Sequence, residues 1–307
     1  MFDKKGAGKS ALDLIRKIVL GFAIIAIILC GAVIGKWAID KYNASKLQND
    51  TSVTDESNTQ TTQVNDNEES IQAKYSALLD MNRDFVGKLY ISAIDETGYN
   101  VVQTDNNEKY LTTGFKGEST VYGTLFVDYR NSVKDFNTNT IIYGHNMRDG
   151  SQLGSLVLYE KLENYKKYPT LEFNTIYSNN KWKIFAAFLT NSEERQDNGY
   201  VFPYLTTDFP SDASFLEFIN AVKERSYFVN NAVDIMPTDK LLTLSTCDTV
   251  FDGARFVVMA RLVRNGESEE VDVSTAKENE NQRFPQAWYN AKGKSNPFKE
   301  AERYIVQ

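Results

Sequence analysis

Cysteine and histidine are nearly missing from this 307-residue chain, which holds two of the former, Cys30 and Cys247, and one of the latter, His145. Two cysteines so far apart, one of them inside an apolar run, imply no disulfide framework. A lone histidine excludes any metal centre built on two or more imidazoles. Zinc held by Cys247, His145 and carboxylates is arithmetically open but has no supporting ligand spacing, so no cofactor or metal is expected. Positive charge is also scarce: 34 Lys and Arg stand against 41 Asp and Glu, for a net charge of -7. Phosphate-backbone binding needs a basic surface, so nucleic acid is not an expected partner.

Charge of either sign is absent from Ile18 to Gly35. At 1.5 Å per residue this run reaches about 27 Å, close to the ~30 Å of a bilayer core. Lys4, Lys5, Lys9, Arg16 and Lys17 precede it, and the positive-inside rule then predicts residues 1–17 in the cytoplasm and the body outside. The expectation is a retained signal-anchor over 18–35 and a single-pass protein of the cell membrane; a cleaved signal peptide is the alternative. Residues 36–70 follow as a linker. From Gln48 to Ser70 the chain is polar and acidic with no basic residue, and it cannot bury enough apolar surface to offset the entropy of ordering.

Helical spacing of Tyr75, Leu78 and Leu79 predicts a short helix within 71–81 that enters the folded domain. The runs at 86–92, 121–127, 139–143, 171–177, 182–189, 241–246 and 255–263 are rich in Val, Ile, Phe, Tyr and Thr and predict strands. A mainly β domain, barrel or sandwich, follows. Phe215, Phe218, Ile219 and Val222 share one face of a helix predicted over 212–228, and a second short helix is predicted over 153–159. Beyond 264, an acidic stretch at 266–283 reads as a solvated linker before an aromatic tail.

Cys247 and His145 both stand where a β run meets turn residues, rigid on one side and open on the other. Each has an ordinary structural reading: a small buried thiol, a hydrogen-bonded imidazole. Together they are the residue types of nucleophilic catalysis, in which imidazole assists thiolate attack and protonates a leaving amine. Arg255 opens the next run eight residues on. If residues 248–254 turn a hairpin, its guanidinium meets Cys247 and can stabilise an oxyanion.

These residues sit in longer patterns. Leu242-Thr243-Leu244-Ser245-Thr246-Cys247 with Arg255, Tyr143-Gly144-His145-Asn146-Met147, Asn82–Gly87 and Gly123–Arg130 resemble the motifs of class B sortases, over roughly residues 71–264. The resemblance implies an eight-stranded sortase-type β-barrel with peripheral helices. It implies Cys247 as nucleophile, His145 as acid and base, Arg255 as oxyanion stabiliser, and Ser245 and Thr246 lining the sorting-peptide groove. It implies a cysteine transpeptidase that cleaves the C-terminal sorting signal of a secreted protein through a Cys247 thioester and passes the acyl group to a peptidoglycan amine. Joining pilins through a lysine amine is the alternative activity, and an inactive surface adhesin or scaffold the alternative of another class. Residues 265–307, an acidic linker and C-terminal extension, lie outside the resemblance and have no assigned role.

Overall fold

The computed structural model describes residues 34–36, 38–39, 71–93 and 95–306. After a 3-10 turn at Ala73–Tyr75 come helix α1 (Ser76–Met81), strands β1 (Phe85–Ile91), β2 (Asp95–Val102), β3 (Leu125–Val127) and β4 (Asn139–Tyr143), and a longer 3-10 segment, Gly154–Glu160. Helix α2 (Leu162–Lys167), β5 (Thr170–Thr175), β6 (Lys181–Asn191), α3 (Asp212–Arg225) and β7 (Phe228–Val229) follow. The chain then forms β8 (Leu241–Cys247), β9 (Ala254–Leu262), β10 (Lys277–Glu278) and α4 (Gln286–Ala291).

Eight of these strands close a barrel in the order β1-β2-β3-β4-β8-β9-β6-β5, and β5 pairs back onto β1. The eight-stranded barrel with peripheral helices implied by the sequence is therefore present. Two of its pairings are parallel, β2 with β3 and β4 with β8. Strand alternation sorts the side chains. Leu242, Leu244, Phe256 and Val258 point into the barrel with Trp182, Ile184, Phe173 and Ile142. Leu241, Val257 and Met259 point outward, where Phe215, Phe218, Ile219 and Val222 of α3 cover them. Cover on both faces makes residues 184–189 of β6 a continuous apolar run rather than an alternating one, and this is why β6 is conspicuous in the sequence. Helix α3 starts where Ser211 accepts a hydrogen bond from the Ser214 N–H at 3.2 Å, an N-cap.

Two strands of the barrel differ from expectation. β2 has no apolar run; its pairing with β1 slips between Leu89 and Ile91, and the register comes from tertiary contact. The run at 121–127 yields a strand only from Leu125, because Gly123 turns at φ 58°, a conformation that favours glycine.

The expected membrane span is corrected. Among the described residues no helix is long and apolar enough to cross a membrane. Of the 18–35 run, only residues 34 and 35 are described. The signal-anchor, the single-pass cell-membrane location and the membrane as a partner are accordingly withdrawn. Residues 1–33 and the polar linker over 40–70 lie outside the described residues.

Glu267, which the sequence places in a solvated stretch, closes the end of the barrel away from Cys247. It accepts hydrogen bonds from Arg261 Nη1 and Nη2, at 2.6 and 2.7 Å, and from Lys183 Nζ at 2.7 Å. Arg261 is fully buried. Hydrogen bonding from Arg261 outweighs partial burial and, with Lys183, holds the Glu267 carboxyl well below the usual carboxylate range. Removing one member of such a group leaves a buried charge unpaired. Glu267→Gln is therefore expected to cost about 3 kcal/mol at pH 7 in chemical denaturation. Because the folded pKa is depressed, the contribution is complete above the unfolded value, near 4.3, and is lost as pH falls further. The gap between parent and variant should narrow in acid; a constant or widening gap would show that the carboxylate is not the source of the stability.

Candidate active site

The parallel pairing of β4 with β8 sets Tyr143 beside Ser245. Cys247 ends β8 and His145 lies two residues beyond β4, so both leave the sheet at one rim of the barrel. The 144 N–H donates to the Ser245 carbonyl at 3.3 Å and extends that pairing by a residue. A Cβ on Gly144 would collide with the Leu125 and Leu153 side chains, so the missing side chain lets the histidine loop approach the barrel.

On the other side of β8, the hairpin anticipated from the eight-residue spacing is present. Cys247 and Arg255 are direct partners in the antiparallel ladder between β8 and β9, which sets their Cβ atoms about 5 Å apart on one face. The connection is tight: the Asp248 N–H donates to the Ala254 carbonyl at 2.9 Å and the Ala254 N–H to the Phe251 carbonyl at 3.1 Å. Cys247 is an exposed free thiol at the end of a strand whose other six residues are buried. Arg255 Nη1 donates to the Ala254 carbonyl at 3.0 Å.

His145 is held differently. Its Nε2 lies 2.7 Å from the Leu111 carbonyl; a carbonyl only accepts, so Nε2 carries the hydrogen. Among the described residues no hydrogen bond joins this imidazole to the Cys247 thiol. The bridge between the two loops is Asn146, whose Nδ2 donates to the Cys247 carbonyl at 2.7 Å. Asn146 lies inside the histidine motif, yet nothing in its position along the chain marks this contact, which spans 101 residues.

Ser245 and Thr246 are both buried, at 3% and 2% exposure, and strand alternation turns them to opposite faces. Ser245 shares a 3.0 Å hydrogen bond with the Tyr204 hydroxyl. Thr246 Oγ1 is buried with no hydrogen-bond partner. Tyr204, in the segment between β6 and α3, has no motif to announce it. Burial pushes its phenol pKa up, the Ser245 hydrogen bond and the Arg255 charge pull the other way, and a Cys247 charge raises it. Tyr204 thus senses both members of the Cys247–Arg255 pair.

Below the histidine strand, Asp128 is fully buried. It accepts Arg130 Nε and Nη2 at 2.9 and 2.8 Å and the Tyr143 hydroxyl at 2.8 Å. Burial pushes its carboxyl up, but the Arg130 and Tyr143 hydrogen bonds outweigh that and hold it below its usual value. This network anchors the last residue of β4 before the chain turns to His145.

The close approach at Gly144 has a measurable consequence. Gly144→Ala is expected to destabilise the protein by about 2 kcal/mol through overpacking against Leu125 and Leu153. A denaturation midpoint equal to that of the parent would show that the approach is not a constraint.

Known proteins share this architecture and these patterns. A sortase domain model matches residues 89–263. Sortase B of Staphylococcus aureus is 30% identical over 199 residues, covering 64% of this chain and 78% of that protein. Sortase B of Listeria monocytogenes is 34% identical over 186 residues, 60% of this chain and 71% of that protein. The crystal structure of sortase B from B. anthracis in complex with AAEK1 is similar, with TM-score 0.61 and 30% identity over 74% of this chain and 99% of that one. With more than half of its length matched to the domain and two such relatives, this chain belongs to the sortase family, in its class B branch of cysteine transpeptidases.

Proposed function

We propose that the transpeptidation of this chain runs through Cys247, with His145 as proton carrier and Arg255 as oxyanion partner. The overall activity is that of a sortase-B-type cysteine transpeptidase, which cuts a C-terminal sorting signal and transfers the acyl group to peptidoglycan. The observation that carries the residue assignment is the direct pairing of Cys247 with Arg255 at the rim that His145 also reaches.

The chemistry needs two acyl transfers. In the first, Cys247 Sγ attacks the scissile carbonyl; the C–S bond forms, the C–N bond breaks, and the imidazolium gives a proton to the departing amine. Arg255, permanently charged and opposite the thiol, meets the negative charge that gathers on the carbonyl oxygen. In the second transfer an amine attacks the thioester, a new C–N bond forms, the C–S bond breaks, and the surplus amine proton returns to His145. The thioester conserves the acyl activation of the original peptide bond, so the exchange needs no outside energy source. For His145 to act, its Nε2–H must exchange the Leu111 carbonyl for the leaving nitrogen, a small ring movement at a loop.

Incubation of the protein with a sorting-signal peptide should give an acyl adduct on Cys247 by mass spectrometry, absent in Cys247→Ala. Arg255→Ala is expected to lower kcat by about 10²–10³, the range for loss of one oxyanion donor. Continued cleavage by Cys247→Ala would sink the nucleophile assignment, and an unchanged kcat in Arg255→Ala would sink the oxyanion assignment.

A further inference from the structure

A cavity of about 650 Å³ adjoins the reaction centre, and part of its wall comes from outside the matched sortase domain. Asn146 and Arg148, just after His145, form one side; Asp248, just after Cys247, forms another. Glu160, Tyr227 and, from the C-terminal extension, Trp288 and Lys292 also line it. Tyr204, Ser245 and Arg255 do not contribute to it. Cys247 and His145 are not in the lining either; the cavity lies beside their chain neighbours Asp248 and Asn146, apart from the residues that carry the Cys247–Arg255 face.

We propose that this cavity is the acceptor subsite, receiving a short amine-bearing peptide with a carboxylate, and that Trp288 and Lys292 of the extension help to bind it. The inference rests on the Cys247 thioester described above. Once the acyl group is bonded to Cys247 it occupies its own groove, so the second substrate must enter by another opening. This one is flanked by the immediate neighbours of both Cys247 and His145.

The charges fit an ammonium group. The Tyr227 hydroxyl donates to Glu160 Oε1 at 2.9 Å. Enclosure raises the Glu160 pKa, the Tyr227 bond opposes it, the Asp248 charge adds to the rise, and Lys292 offsets part of it. The Tyr227 phenol is also pushed up, by burial first, then by the Glu160 and Asp248 charges. Glu160 and Asp248 thus bring two carboxyl groups to one lining, the complement of an ammonium group. Arg148 and Lys292 are placed in the same lining to meet a carboxylate on the same ligand. Trp288 is held stiffly for contact with such a peptide, stacked on Phe284 with ring centroids 3.8 Å apart and an interplanar angle of 6°. An acceptor bound as ammonium gives one proton to water as it leaves the carboxylates for the thioester; attack then proceeds by the second transfer above.

The test uses the full chain, a sorting-signal reporter peptide, and three amines: triglycine, a soluble muropeptide with a free side-chain amine, and hydroxylamine, which is too small to need the cavity. Trp288→Ala and Glu160→Gln are expected to raise the acceptor KM for whichever peptide amine the parent uses by about ten-fold, the scale of one lost charge-assisted or packed contact. Acyl transfer to hydroxylamine and cleavage of the reporter are read in parallel, and both are expected within about two-fold of the parent. Lys292→Glu, at an exposed position just after α4, guards against a folding artefact and should selectively weaken acceptors with a free carboxylate relative to their amides. Unchanged acceptor KM in all three variants overturns the proposal, as does a parallel fall in hydroxylamine transfer, or a parent that uses hydroxylamine but neither peptide amine. Cleavage that survives Cys247→Ala is a separate result and strikes the underlying site reading instead.

Discussion

The parallel pairing of β4 with β8 is the constraint on which the site depends. Parallel neighbours run in the same direction, so their C-terminal ends open at the same rim. A parallel connection also cannot be made by a tight turn. Here the chain leaves β4 at Tyr143 and returns at Leu241, and the intervening residues build β5, β6 and α3. β5 carries the sheet back to β1 and β6 meets β9, so the excursion needed to make the parallel pair also closes the barrel. Arg255 reaches the same rim by the opposite means, a short hairpin that reverses β8 into β9. Two connections of very different length thus converge on one edge.

How much of this was legible in the sequence follows from where each signal resides. β6 and β9 are buried on both faces and show themselves as apolar runs, while β8, buried as well, carries Thr243, Ser245 and Thr246 among its leucines. The Cys247–Arg255 pairing could be read from an eight-residue gap because a hairpin is a local object. The face of α3 could be read because Phe215, Phe218, Ile219 and Val222 repeat at helical spacing. β2 could not be read, since its place is set by β1 rather than by an apolar run of its own. Tyr204 was invisible for a related reason: its link to Ser245 is made only when the β6–α3 segment folds over the outer face of β8. The contact of His145 with Leu111 is to a backbone carbonyl, which no side-chain pattern can announce. Asn146 was in view within the histidine motif, but its partner is likewise a carbonyl, on another strand.

The two ends of β9 are built on opposite electrostatic principles. At Arg261, every nearby charge has a partner: Glu267 grips the guanidinium and Lys183 together, while Arg264 pairs with Asp239 at 2.7 Å and with Asp234 at 3.0 Å. At Arg255, six residues earlier, the guanidinium hydrogen bonds to its neighbour's carbonyl, and the opposing group is an exposed thiol rather than a carboxylate. A carboxylate opposite Arg255 would neutralise the charge that an oxyanion needs. The far end stabilises the barrel through satisfied charges, and the rim retains a cation whose electrostatic complement is the reacting substrate.

The segment beyond the matched domain is tied to both layers of this arrangement. Lys277 and Glu278 pair with Val229 and Phe228, and Asn279 Nδ2 donates to the Ser226 carbonyl at 2.8 Å. Phe284 packs edge-on against Tyr227, with ring centroids 5.8 Å apart. Farther on, Tyr304 packs against Phe202 and Phe218, and its carbonyl accepts the Tyr200 hydroxyl at 2.7 Å. Tyr200 and Phe202 belong to the same segment as Tyr204, whose hydroxyl meets Ser245 two residues before the thiol. The extension therefore braces the segment covering the outer face of β8 with its last residues and lines the cavity beside Asp248 with α4. A segment that needed only to cap the barrel could have ended at β10, where the ladder to β7 is complete. Its continuation instead sets Trp288 in the cavity beside Asp248 and Tyr304 against Phe202 and Phe218, so that the extension reaches the surroundings of the site as well as the barrel wall.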